Sequence, residues 1–128
     1  MAKIKKLSFK EACTKTGHHP VKSLPYPKPA NTEEEAWNAL KRLQIYAEAY
    51  NMVRGTKWVV KYSDSNQAKW RIWFVWDSAL SAFRFTYTII EFTFANAATG
   101  SRHVFRTEAI ADHVGTAHLD EWNKWLVK

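Results

Sequence analysis

The chain has 128 residues, 19 Lys and Arg against 12 Asp and Glu, and a formal net charge of +7. That length fits one domain, which buries roughly two-thirds of the surface its unfolded chain exposes. The single cysteine, Cys13, excludes an intramolecular disulfide, and no apolar run reaches the ~18 residues that would read as a membrane span.

The opening stretch MAKIKKLSFKEAC is basic, and no apolar signal region or small-residue cleavage site follows it. It reads as the start of a mature cytoplasmic chain. Residues 1–30 hold seven lysines and one glutamate, so +6 of the total charge lies there. Clustered cations of this kind supply the non-specific attraction to phosphate backbones, and Lys3, Lys5, Lys6 and Lys10 are the first candidates for such a contact. Lysines that merely solvate a short helix would read the same way. Ser8 and Glu11 have the spacing of a capping box, so a helix is predicted over 8–16, closed by Gly17. All four prolines fall in PVKSLPYPKP, residues 20–29. The segment 18–31 reads as an extended connector, anchored by Val21, Leu24 and Tyr26 or presenting Tyr26 to a partner. Residues 1–31 therefore form a basic helix and proline-rich arm, ahead of a single α+β domain over 32–128 that should hold the core.

The next segment, 33–51, is the longest predicted helix. Thr32 and Glu35 match a second capping box, and Glu33 to Glu35 place negative charge at the positive end of the helix dipole. Ala36, Leu40, Leu43, Ala47 and Tyr50 recur at helical spacing, with Trp37 and Tyr46 beside them. Asn51 to Gly55 should end it. The period then changes from 3.6 to 2. KWVVKYS (57–63) is a predicted strand, and 63–67 is turn chemistry. In KWRIWFVWD (69–77), Trp70, Ile72, Phe74 and Trp76 share one face. Arg71, Trp73 and Val75 share the other, so both faces are expected to be covered. In 82–96, Phe83, Phe85, Tyr87 and Ile89 are odd-numbered, whereas Ile90, Phe92 and Phe94 are even. A β-bulge is expected at Ile89–Ile90. A last strand is predicted over 101–106. Thr107 should cap a helix that Gly115 breaks, and Thr116 should cap a second one. Helix, arm, helix, an antiparallel meander of three to four strands and two short helices packed on it give an α+β fold.

KWRIWFVWD, AFRFTY and GSRHVFRTEAIADHVGTAHLDEW together resemble a family of small uncharacterised proteins carried by phages and prophages of gut bacteria. That family has an aromatic strand, a Phe-rich strand and a Gly-Ser-Arg-x-x-Phe-Lys/Arg-Ser/Thr corner leading into a helix. The likeness covers roughly residues 32–127 and is best over 100–115. This chain differs in having no proline in 69–77 and Val104 where the family has Cys. The resemblance implies an α+β domain of phage or mobile-element origin and carries over no catalytic residue.

Three constellations could carry chemistry. At the corner, Arg102 and Arg106 share a strand face, and Thr107 brings helix N–H groups beside them. Two guanidinium groups and main-chain donors suit a carboxylate or phosphate. The competing reading pairs Arg106 with Glu108 or Asp112 and leaves Arg102 solvated. A second constellation is aromatic: 19 residues are Phe, Trp or Tyr. Trp73 with Arg71 and Arg84 would make a cation–π surface for a base or a protein partner, against the plain alternative that such rings are core. Cys13, His18, His113 and His118 can be drawn as a zinc site, but their spacings miss the usual ones and no metal or other cofactor is expected. No nucleophile and base can be paired, so the chain is expected to act without catalysis. The expected function is a binding protein for an anionic partner (nucleic acid, nucleotide or acidic protein surface), in the host cell or associated with a virion. The alternative is a structural or assembly protein that docks on phage or host proteins through the proline-rich arm and exposed aromatics. Neither reading involves a membrane.

Overall fold

The structure, a computed structural model, describes residues 4–61, 64, 66–91 and 103–127. Its elements are helix α1 (Phe9–Thr16), helix α2 (Thr32–Asn51), strand β1 (Lys69–Asp77), strand β2 (Ala82–Glu91), helix α3 (Glu108–Ala117) and helix α4 (Leu119–Leu126). This is α+β, as expected, with helices stacked on one face of an antiparallel hairpin. α3 and α4 pack on the hairpin, α2 packs on α4 and α3, and α1 packs on α2.

The predicted meander contracts to two strands among the described residues. Residues 57–61 run as loop rather than strand, because side chains of the loop itself take up their main-chain groups: Gln67 accepts from the N–H of Lys61 and donates to the carbonyl of Val59. Tyr62 and Ser63 lie outside the described residues. Residues 101 and 102 of the predicted strand over 101–106 lie outside the described residues; over 103–106 it is one antiparallel bridge, Phe105 to Trp70, with hydrogen bonds of 2.9 Å in both directions.

Ser8 and Glu11 close the reciprocal capping box of α1, and Gly17 ends the helix in the left-handed conformation at φ 78°. The acceptor role holds the Glu11 carboxyl below its ordinary range, first through the Ser8 N–H and then through Lys5. Leu7, Ala12 and Cys13 are buried in the same core as α2, so the first 31 residues contribute to a core expected within 32–128. The arm is held through main chain rather than rings: Asn38, buried in α2, accepts from the N–H of Tyr26 at 3.0 Å and donates to its carbonyl at 2.7 Å. Val21 and Tyr26 stay exposed.

Asn31, not Thr32, caps α2. Its side chain accepts from the Glu34 N–H, and Glu34 in turn accepts from the Ala30 N–H. Asn and Thr both serve as caps; with Asn31 as the cap, Glu34 at the third helical position accepts from Ala30, the residue before the cap, rather than from Asn31 itself. Glu35 is thereby released to pair with Arg42.

The hairpin bulge is real in kind but displaced. Trp73 pairs with Tyr87 and Phe74 with Phe85, so Thr86 is the extra residue, and pairing is regular through Ile89 and Ile90. Before Thr86 the inward residues of β2 are odd (Phe83, Phe85). After it Thr88 and Ile90 stand opposite Ile72 and Trp70. The predicted change of parity is therefore met a turn of the pleat earlier. Residues 92–96 of the predicted strand lie outside the described residues.

Gly115 does not break a helix. α3 runs through it to Ala117, and the chain turns at His118. A Cβ at Gly115 would meet Phe85 Cδ2 at 2.7 Å and Ile72 Cγ2 at 3.0 Å. The glycine lets the helix approach the hairpin closely; its value here is its missing side chain. Thr116 bonds back to the carbonyl of Asp112 within α3 and caps nothing.

Candidate functional site

The hairpin has two unlike faces. Inward, Trp70, Ile72 and Phe74 pack against the core, and Phe74 lies 5.0 Å from the Trp122 ring of α4. Outward, Trp73 and Tyr87 are neighbours across the strands, with ring centroids 6.4 Å apart and planes within 20°. Trp73 is 50% exposed and Tyr87 49%. In the adjacent row Val75, also exposed, stands opposite Arg84. The Arg84 guanidinium makes a 3.4 Å ion pair with Asp77 while remaining half exposed. No helix or strand among the described residues packs on this row of side chains. The expectation that β1 is covered on both faces thus fails at Trp73 and Val75.

One end of that outer face is covered. Lys69 is buried, and its ammonium donates to the carbonyls of Asp64 and Gln67, which draws the 64–67 loop over the start of β1. Arg71, in the next outward position, is half buried. It lines a depression of about 190 Å³ with Leu40, His103, Trp122, Trp125 and Leu126. The three residues expected to share a surface are therefore split: Trp73 and Arg84 lie together, and Arg71 turns toward the helices. The hairpin tip adds Trp76, 48% exposed and edge-on to Phe83, and Leu80, 63% exposed. Tyr26 lies apart from all of these, in the arm on α2.

The corner is a structural joint. The Arg106 N–H donates to the Asn51 side chain at 2.9 Å, and Arg106 Nε donates to the Asn51 carbonyl at 3.0 Å. Asn51 also donates to the carbonyl of Val104 at 2.9 Å. The last carbonyl of α2 lacks a partner within its helix, so a guanidinium placed beside it is taken up as a cap. Thr107 accepts from the Ile110 N–H, which engages the first donors of α3 as well. The pairing of Arg106 with Glu108 or Asp112 is absent from the ion pairs of the described residues, and Arg102 lies outside them. Among the amino-terminal lysines, Lys5 pairs with Glu11 at 3.3 Å, Lys6 and Lys10 are exposed, and Lys3 lies outside the described residues. These lysines flank α1, which packs on α2, and Arg84 lies on the hairpin.

Of the four drawn ligands, His113 and His118 approach each other, with ring centroids 6.4 Å apart. Among the described residues no three His, Cys, Asp or Glu side chains could share a metal ion. Cys13 is buried, and burial raises its thiol pKa, which keeps it protonated. His18 contacts Glu48 at 3.2 Å. His118 is buried with Tyr46 stacked on it at 3.9 Å and the Tyr50 hydroxyl 2.8 Å from its Nε2. Tyr50 also accepts from the Leu7 N–H at 2.7 Å. Burial first, then Lys6 and His113, lower the His118 pKa from the ordinary 6.5 to about 4, against an opposing effect of Asp120. A neutral ring that accepts the Tyr50 proton at Nε2 satisfies all three groups, so the network assigns the ring hydrogen to Nδ1. Burial likewise raises the Tyr46 and Tyr50 hydroxyls above their ordinary pKa. This knot joins α1, α2 and the α3–α4 turn, and sequence reasoning missed it because its members lie 43 and 68 residues from Tyr50.

Comparison with protein-family models, with curated proteins and with solved structures finds no match to this chain. No helix among the described residues is long and apolar enough to cross a membrane.

Proposed function

We propose that this chain is a non-enzymatic binding protein, and that the outer face of its hairpin contacts an anionic partner. The observation that carries the reading is the Trp73–Tyr87 pair: two large rings, half exposed, parallel and adjacent to the half-exposed Arg84. Rings without a structural role at the surface, set beside a cation, are the composition of a contact surface. A net charge of +7 draws a polyanion toward the chain at long range, and the lysines around α1 raise that attraction without defining the contact. In keeping with the phage-borne proteins that the 100–115 stretch resembles, the chain would act stoichiometrically, in the host cell or with the virion.

The test is a titration of the full chain against single- and double-stranded DNA and RNA at two salt concentrations. Binding that weakens steeply with salt, and that Arg84→Ala and Trp73→Ala each weaken, is the expected result. Absence of binding to every polyanion would overturn the reading. The tip favours a second reading, assembly by protein docking, since Trp76 and Leu80 are exposed there, as are Val21 and Tyr26 on the arm. That reading expects a stable, salt-insensitive oligomer or virion association.

A further inference from the structure

We infer that the partner of the hairpin face is single-stranded nucleic acid, whose bases stack on Trp73 and Tyr87 while its backbone is held at Arg84. The inference rests on the proposed binding role and names the partner's chemistry. In a duplex the faces of the bases are covered by their neighbours, and a protein meets mainly phosphate and groove edges. Flat exposed rings gain little there. Unpaired bases offer their faces, and base–aromatic stacking is the interaction that sequence-tolerant single-strand binders use. An acidic protein surface would call on cations and leave the rings idle.

The layout suits such a strand. Trp73 and Tyr87 lie opposite each other on two strands, so two near-parallel, half-exposed rings stand on one side of the hairpin. The Val75–Arg84 row lies two residues further along β1, about 6.8 Å at the usual rise. A cation is thus placed beside the rings, where the backbone of a stacked nucleotide would run. The Arg84–Asp77 pair is exposed enough to exchange: Asp77 also accepts from the Ala79 N–H and keeps that bond when Arg84 turns to a phosphate. Asp77 then acts as an internal competitor for Arg84.

The test compares three probes on the full-length protein: a short oligothymidylate, an abasic deoxyribose-phosphate oligomer of the same length, and a duplex of the same length. The oligothymidylate should bind about tenfold or more tighter than the abasic strand, from stacking at each ring. Trp73→Ala with Tyr87→Ala should erase that preference and leave the weak salt-sensitive binding. Asp77→Asn should tighten the oligothymidylate by severalfold. Equal binding of the oligothymidylate and the abasic strand, unchanged in the double variant, would overturn stacking and leave the proposed binding role standing. Binding of neither strand would overturn both. Tighter binding of the duplex would overturn the single-strand assignment. A concentration-dependent dimer that the double variant abolishes, without oligonucleotide binding, would assign the face to a second copy of the chain and overturn the inference. Thermal melts of each variant establish that it folds; both rings are half exposed, so their loss should lower the melt by only a few degrees.

Discussion

Two aromatic regions of this molecule share a composition and differ in everything else. At the knot, Tyr46, Tyr50 and His118 are buried, stacked and hydrogen-bonded, and they tie α1 to α2 and to the α3–α4 turn. On the hairpin, Trp73 and Tyr87 are parallel to each other and half open to solvent. The first pair of hydroxyl and imidazole must satisfy its polar atoms internally, because nothing else reaches them. The second pair has spare ring surface and a neighbouring half-exposed cation, Arg84, held only by its ion pair with Asp77 among the described residues. The comparison shows that an aromatic count says little about function; what a ring touches decides whether it holds the fold or waits for a partner.

The comparison can be broken from the buried side first. Arg42 joins α2 to α4 through Glu121 and also pairs with Glu35, while Lys124 holds the other Glu121 oxygen. Burial weighs against the Arg42 charge, but its two carboxylates outweigh that and hold its pKa above the ordinary value. Arg42→Ala leaves a buried carboxylate short of its partner and should cost about 3 kcal/mol, read from urea unfolding. The knot itself predicts an acid dependence. His118 is held near 4 when folded and titrates at 6.5 when unfolded. The unfolded chain therefore binds the extra proton first, so the contribution of this group is intact above about pH 6.5 and lost progressively toward pH 4, up to about 3 kcal/mol. Unfolding free energy measured across that window should fall with falling pH, and His118→Gln should flatten the slope. Gly115→Ala forces a methyl against Phe85 and should cost about 2 kcal/mol, by thermal melting, although alanine is the better helix former. On the open side, Trp73→Ala removes a half-exposed ring and its cross-strand partner contact and should cost only about 1 kcal/mol while weakening binding.

Much of this architecture was legible in the residues. The cap at Ser8–Glu11, the left-handed Gly17, the α2 stripe, the pairing strands over 69–77 and 82–91 and the Thr107 cap all follow from short-range chemistry. The errors share a cause. Gly115 looked like a breaker because glycine ends helices more often than it makes room for a facing Phe, and only the fold shows Phe85 there. Arg106 looked like half of an anion site because the carbonyl that claims it, on Asn51, is 55 residues away. The loop at 57–61 alternates like a strand, yet Gln67 supplies the hydrogen bonds that a neighbouring strand would have given. For the candidate site, Trp73 and Arg84 were visible as outward residues. Their partner Tyr87 was assigned to the opposite set, because a bulge at Thr86 reverses the parity between Phe85 and Tyr87.

The most direct test of the contrast is a map of amide and indole chemical-shift changes on adding short single-stranded DNA to the isotope-labelled protein. Changes centred on Trp73, Tyr87, Val75 and Arg84, with the resonances of Tyr46, Tyr50 and His118 unmoved, are the predicted result. Changes confined to Lys5, Lys6 and Lys10 around α1, with the hairpin silent, would contradict the account and place the contact at the amino-terminal helix instead.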